Sequence, residues 1–232
     1  MKCKLCGSGN VKRIYTGIIR DGGLGQYTKD SVDVFQCKDC DVIWHENKID
    51  DVKKYYETEE YRKELEGSSE EEKFYELHDK ETLDKLNYTD KIDVITSFDV
   101  IEHVQSPEIF IKDVYDLLTY GGKAIIGTPT DALVMRSLLG NDYEKKLLFS
   151  TQHLWILSEK NLRMISEKCG FRRVTVKYYQ RYGIGNMLGW LKEKEPKSEI
   201  NQEFITETLN NVWKAQLVDN GLADYIVLYL EK

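Results

Sequence analysis

Two C-x2-C pairs, Cys3/Cys6 and Cys37/Cys40, constrain this chain more than any other feature. Two residues between thiolates let one tight turn aim both sulfurs at a single tetrahedral ion. Between the pairs lie two strand-like runs, Ile14 to Ile19 and Val32 to Phe35. The pairs sit in knuckle-like stretches, CKLCGSGN and CKDCDVIW, and the spacing predicts a zinc ribbon over residues 1–50. A redox C-x-x-C and a pair of disulfides are the competing readings. A redox motif does not come as two matched pairs, and disulfides are rare in a reducing compartment. Four thiolates would close the shell around Zn2+, so the ion is expected to be structural. The fifth cysteine, Cys169, precedes Gly170 at a predicted helix end and reads as a small buried residue.

The compartment follows from what surrounds these cysteines. The first residues, MKCKLCGSGN, contain no apolar leader, and no run approaches the ~18 apolar residues of a membrane span. The chain is therefore expected to be cytoplasmic, with no membrane partner. Its formal net charge of -7 repels a phosphate backbone, so no nucleic acid is expected either. With 41% hydrophobic residues over 232 positions, a core can form, and there is room for one sizeable domain beside a small one.

The glycine-rich stretch RDGGLGQYT runs into a strand and not a helix, so it reads as a hairpin connection and not a phosphate cradle. From Asp50 to Leu86 the chain is strongly charged, with apolar residues at helical spacing. Tyr55, Leu65, Phe74, Leu77 and Leu83 are its expected inward positions, and His78 stands in it alone. Residues 51–90 are read as a helical linker.

A different pattern starts at Lys91. Ile92 to Phe98 is a short apolar run suited to a buried parallel strand. Ser106 as N-cap, Pro107 at the first helical position and Phe110, Val114, Leu117 and Leu118 on one face predict a helix that Gly121 and Gly122 end. KAIIGTP follows as a second short strand, completing a βαβ unit. Another helix is expected from Ser158 to Gly170, then an alternating strand, RRVTVKYYQRY. DYIVLYLEK is expected as a last strand, antiparallel at the sheet edge.

FDVIEHVQSPEIFIKDVYDLLTYGGKAIIGTP resembles the second half of a class I S-adenosylmethionine-dependent methyltransferase. In that family the fourth strand runs into D-V-[IL]-E-H-V, a helix ends in G-G and the fifth strand ends in T-P. QHLWILSEKNLRMISEKCGF resembles its next segment, in which a His precedes a helix ending in G-F. A four-cysteine ribbon ahead of such a domain is similar to a subgroup that methylates nucleotide-linked deoxysugars or surface polysaccharide precursors. The resemblance covers residues 1–50 and 91–176. It implies an α/β fold: a zinc ribbon, then residues 91–232 as a partial Rossmann-like methyltransferase sheet with flanking helices. It also implies S-adenosylmethionine as cofactor and a small-molecule acceptor.

The resemblance has a gap. The family begins with a strand and a glycine-rich loop at the cofactor's methionine end, and an acidic residue after the second strand holds the ribose. Neither stands between Leu86 and Asp93. Two βα units and a further strand, on the order of 60 residues, are missing. RYGIGNMLGW, with Gly183, Gly185 and Gly189, lacks the later acidic residue such a site needs and reads as a lid or substrate loop. An internal deletion, an incomplete chain and a minimal fold completed by a partner all remain open. A sheet without its first three strands would expose an edge and an apolar face, which favours the first two. As it stands, the chain is expected not to bind the cofactor as a lone monomer. A non-catalytic ribbon scaffold is the alternative to an enzyme.

The candidate site residues follow. Ser97, Phe98 and Asp99 fall at the carboxyl edge of the sheet, where ligands bind in open α/β folds, with ordinary strand-end packing as the alternative. His103 and His153 are candidate bases, because imidazole titrates near neutrality; a structural role is the alternative for each. Tyr178, Tyr179 and Tyr182 are candidates for the substrate side, in a chain with 15 tyrosines.

Overall fold

The computed structural model describes residues 1–46, 89–196, 198–200 and 203–232. The expected helical linker, with its inward positions and His78, lies outside them except for residues 89–90, which form a turn. Among the described residues, two four-stranded sheets form a mixed α/β architecture. No helix there is long and apolar enough to cross a membrane.

The first sheet is built mainly from the N-terminal segment that carries the four cysteines, called the ribbon below. Strands β1 (Val11–Gly17) and β2 (Val32–Cys37) pair antiparallel, and β3 (Ile43–His45) adds to β2. β1 starts and ends earlier than the run Ile14 to Ile19 predicted. Arg20 bridges to Tyr27 across the glycine-rich loop, so that stretch is the expected hairpin connection.

The second sheet begins with β4 (Ile92–Phe98). Helix α1 (Pro107–Leu117) leads to β5 (Leu118–Pro129), and β4 and β5 run parallel, as the βαβ reading required. The Ser106 hydroxyl accepts from Ile109 N at 3.3 Å, capping α1. The helix buries Pro107, Ile111, Val114 and Leu117. It stops before the two glycines that were expected to end it, because Leu118 already pairs with Ile92. Gly121, at φ 80, instead lies where the β4–β5 register shifts.

Helices α2 (Leu133–Leu139) and α3 (Asn141–Tyr143), the latter continuing as a π turn over Glu144–Leu148, lead to β6 (Trp155–Ile156). That two-residue strand pairs with β3, so the ribbon's sheet takes its fourth strand from the α/β part of the chain. Helix α4 (Glu159–Cys169) follows and ends at Gly170, φ 104, the left-handed cap glycine tolerates. Cys169 beside it is half-buried. Then come β7 (Arg173–Tyr179), helices α5 (Ile184–Glu193) and α6 (Glu207–Asp219), and β8 (Tyr225–Glu231).

Two expectations are corrected. β8 is antiparallel, but it lies between β5 and β7, giving the order β4-β5-β8-β7, and not at the edge. Tyr225, Ile226, Leu228 and Leu230 are all buried in that interior position. RYGIGNMLGW is mostly helix α5 and not a loop. Its glycines serve close packing, since a Cβ on Gly189 would come within 2.5 Å of the Ser198 carbonyl oxygen, and one on Gly185 within 2.9 Å of that of Ile200.

β4 is hydrogen-bonded on one side only among the described residues, and Val94 and Phe98 stand 59% and 52% exposed on it. One hydrophobic cluster runs from Cys3, Cys37, Cys40, Val42 and Trp44 of the ribbon to Trp155, Leu157, Leu162 and Ile165, and on to Ile126 and Leu228 of the second sheet. Ribbon and α/β sheet thus share a core.

Candidate functional site

The four ribbon cysteines converge. The Cys3 and Cys40 sulfurs lie 3.7 Å apart and those of Cys6 and Cys37 3.6 Å apart, all four within 4.8 Å of one another. Four sulfurs at ~2.3 Å from a tetrahedral ion stand about 3.8 Å apart, so the set fits such an ion. Backbone N–H groups of Leu5 and Cys6 point at the Cys3 sulfur, at 3.4 and 3.5 Å. Cys40 is tied further: its carbonyl accepts from the Asn161 amide, at 3.3 Å, and Asn161 also accepts from Ser158 N at the start of α4.

A second site lies where β4 and β5 end. A cavity of about 190 Å3 opens there, with Tyr143, Trp155 and Trp190 among its walls and Glu102 and His153 on its floor. Glu102 and His103 follow β4 by a few residues, Thr128 ends β5, and His153 precedes β6. The two expected histidines meet: their ring centroids lie 4.8 Å apart, edge to face.

Hydrogen bonds fix Glu102 and His103 and hold the loop that carries His153. The Thr128 hydroxyl donates to Glu102 Oε2 at 2.9 Å, while Oε1 faces His103 Nε2 at 3.7 Å. His103 Nδ1 donates to the Gln152 carbonyl at 2.8 Å. Trp155 stitches the two loops together, its backbone N–H donating to the Glu102 carbonyl and its indole N–H to that of Val104 at 2.8 Å. From the ribbon, His45 Nε2 donates to the carbonyls of Ser150 and His153, at 2.8 and 3.1 Å. β3 thereby holds the loop that carries His153.

Burial dominates the electrostatics. Glu102, 2% exposed, has its pKa pushed up to about 7, the Thr128 bond only partly offsetting the loss of water. Burial also lowers the pKa of His45 and His103, and with the neighbouring His103 it drives that of His153 well below the usual imidazole value. His103 and His153 therefore both favour the neutral ring.

Ser97, Phe98 and Asp99 lie at the carboxyl end of β4, as expected. Phe98 leans over Gly127, where a Cβ would come within 2.5 Å of its ring, so strand-end packing accounts for part of its position. Asp99, at φ 55, is hydrogen-bonded with the Tyr225 hydroxyl. Of the three tyrosine candidates, only Tyr182 lines the cavity. Tyr178 donates to Glu159 at 3.1 Å and Tyr179 is 58% exposed.

Sequence reasoning passed over Glu102, Thr128, His45, Arg181 and Asp224. Glu102 was within reach, standing beside His103 in the D-V-I-E-H run. Arg181 and Asp224 are distant in sequence, and only the fold joins them, in a 3.2 Å ion pair beside the cavity.

A family model described as Methyltransferase domain matches residues 6–176, most of the chain. The chain belongs to the methyltransferase-domain family. The match starts inside the ribbon and runs to β7, which bears out the methyltransferase resemblance without addressing the sugar subgroup or the ribbon's metal. No curated protein matches the chain. Among solved structures, a Thermotoga maritima methyltransferase described as a possible histamine N-methyltransferase is 22% identical over 62% of this chain, with a TM-score of 0.38. This chain covers 57% of that protein's length. An Archaeoglobus fulgidus methyltransferase is 15% identical over 75% of this chain and 73% of its own, with a TM-score of 0.41. Haemonchus contortus phosphoethanolamine N-methyltransferase 2, solved with S-adenosyl-L-methionine, is 15% identical over 62% of this chain and 34% of its own, with a TM-score of 0.32.

Proposed function

We propose that the chain carries the acceptor half of a methyl-transfer site that uses S-adenosylmethionine and a small polar acceptor. One observation carries the reading: in a methyltransferase-domain chain, an aromatic-walled cavity lined by buried Glu102 and by His153, against which His103 packs, lies at the carboxyl ends of β4 and β5. In the reaction, the acceptor's oxygen, nitrogen or carbon forms a bond to the methyl carbon. The carbon–sulfur bond breaks with its electron pair going to sulfur, and the acceptor loses a proton. Alignment and proton removal are the protein's tasks. The handling of that proton falls to Glu102, His103 and His153. Ser97, Phe98 and Asp99, at the adjoining strand end, would face the cofactor.

The four-cysteine set, by its chemistry and spacing, would hold a structural Zn2+, which requires reduced thiolates and so suits a cytoplasmic protein. The ribbon's resemblance to the sugar-methylating subgroup favours a nucleotide-linked sugar or polysaccharide precursor as acceptor. Neither membrane nor nucleic acid is a partner in this reading.

The edge of β4, without a strand partner among the described residues, favours a second reading, a non-catalytic scaffold completed by another chain. A single assay separates the two. The chain is fractionated by size, and each fraction is tested for formation of S-adenosylhomocysteine dependent on nucleotide-linked deoxysugars. Turnover is expected in particles larger than the monomer, where the sheet is completed. No acceptor-dependent turnover in any fraction would leave the scaffold reading.

A further inference from the structure

The glycine-rich loop between β1 and β2 meets the cavity. Its base is fixed to the segment that leads to His153. Arg20 N donates to the Phe149 carbonyl at 3.2 Å, Thr151 N to that of Arg20 at 2.9 Å, and the Thr151 hydroxyl to Asp21 at 2.7 Å. The tip is a four-residue turn over residues 23–26, closed by Gln26 N donating to the Gly23 carbonyl at 3.3 Å. Gly25 takes the third position at φ 83, a conformation that favours glycine there. A Cβ on it would meet no atom within 4 Å, so the backbone and not the space calls for glycine. The turn sets Leu24 at its corner, and Leu24 lines the cavity.

Leu24 is the sole aliphatic residue among residues 20–28, and it stands 39% exposed. A leucine half in water gains further stabilisation only when an apolar group covers it. Met135 of α2, Leu147 of the π turn and Met187 of α5 line the same cavity. Its aliphatic wall therefore draws on the ribbon as well as on three elements of the α/β part. Methionine side chains adapt to the shape set against them. Glu102, His153, Arg181 and Asp224 supply the polar lining, which orients a ligand in such a cavity.

We propose that the ribbon is part of the acceptor site, with Leu24 packing against an unhydroxylated carbon face of the acceptor. A hydroxylated face set against Leu24, Met135, Leu147 and Met187 would lose water without gaining hydrogen bonds from those side chains. The wall thus selects for a deoxy or otherwise apolar group. The proposal rests on reading the cavity as the acceptor site. It gives the ribbon a part in recognition besides its support of the His153 loop.

The test compares the full chain with its Leu24→Ala and Leu24→Met variants. The probes are a nucleotide-linked deoxysugar and its fully hydroxylated counterpart. Calorimetry gives Kd for each probe, and S-adenosylhomocysteine formation gives kcat and KM. Wild type is expected to bind the deoxysugar about tenfold more tightly than its counterpart. Leu24→Ala should raise Kd and KM for the deoxysugar about tenfold and narrow the preference, with kcat changed by no more than about twofold. Leu24→Met should restore most of the binding. Zinc content and Tm are expected to hold, which separates contact from a structural role. Unchanged Kd and KM in Leu24→Ala would overturn the role of Leu24 and leave the methyl-transfer reading standing. Binding of the deoxysugar without methyl transfer would sink that reading, while the Kd ratio would still decide for or against Leu24. Binding of neither probe by wild type would overturn both.

Discussion

His45→Ala is the substitution that most directly probes how the ribbon supports the cavity. His45 is 6% exposed on β3, and burial holds it neutral. Its Nε2 hydrogen serves two carbonyls in the His153 loop, those of Ser150 and His153. Removing this donor strands the His153 carbonyl, whereas that of Ser150 still accepts from His153 N at 3.1 Å, so with ~1–3 kcal/mol for a stranded buried group a loss of about 2 kcal/mol is expected. For a chain of this size, ~1 kcal/mol moves Tm by about 2–4 °C, giving a fall of about 4–8 °C. The loop should also open locally, with backbone amides over residues 150–155 exchanging about 30-fold faster for ~2 kcal/mol. Denaturant melting and hydrogen exchange measure the two effects. His45→Gln, which keeps a donor, should restore part of both. A change below ~0.5 kcal/mol, with unaltered exchange at 150–155, would refute the idea that the ribbon holds this loop.

Three further outcomes follow from the packing. Chelation should remove one zinc from the cysteines and lower the stability of the whole protein in a single transition, because the ribbon and the α/β sheet share one hydrophobic cluster; melting of the ribbon alone, by circular dichroism, would contradict this. Gly189→Ala should destabilise by ~1–3 kcal/mol although alanine favours helix, because its Cβ meets the Ser198 backbone at 2.5 Å; thermal melting that shows stabilisation would refute the contact. Val94→Lys should reduce self-association measured by light scattering with little change in Tm, because it charges an exposed position on a strand that has one neighbour among the described residues; unchanged association would show that β4 is not the adhesive edge.

Local signals made much of the second sheet legible. Ser106, Pro107 and the spacing to Val114 and Leu117 mark α1, and the apolar runs on either side are parallel strands, although β4 is not buried as its run predicted: no residue of it is buried, and Val94 and Phe98 are exposed. What was not legible depended on distant partners. The glycines at 185 and 189 read as loop chemistry, yet four-residue spacing in a helix puts both on one face, where the chain at 198–200 packs closely. β8 lies inside the sheet because β7 and β5 both need a partner, a requirement no local pattern states. In the site, the two histidines were legible from composition and resemblance. Glu102 was overshadowed by its neighbour, and Thr128 and His45 matter only because β5 and β3 bring them to the same two loops.

The proposed function assigns the acceptor end of a methyl-transfer site to this chain and the cofactor end to a completed sheet. Calorimetric titration of S-adenosylmethionine into the monodisperse monomer, and separately into any larger particle the chain forms, tests this. No micromolar binding is expected from the monomer, and binding only where the β4 edge is completed. Micromolar binding by the monomer would contradict the proposal.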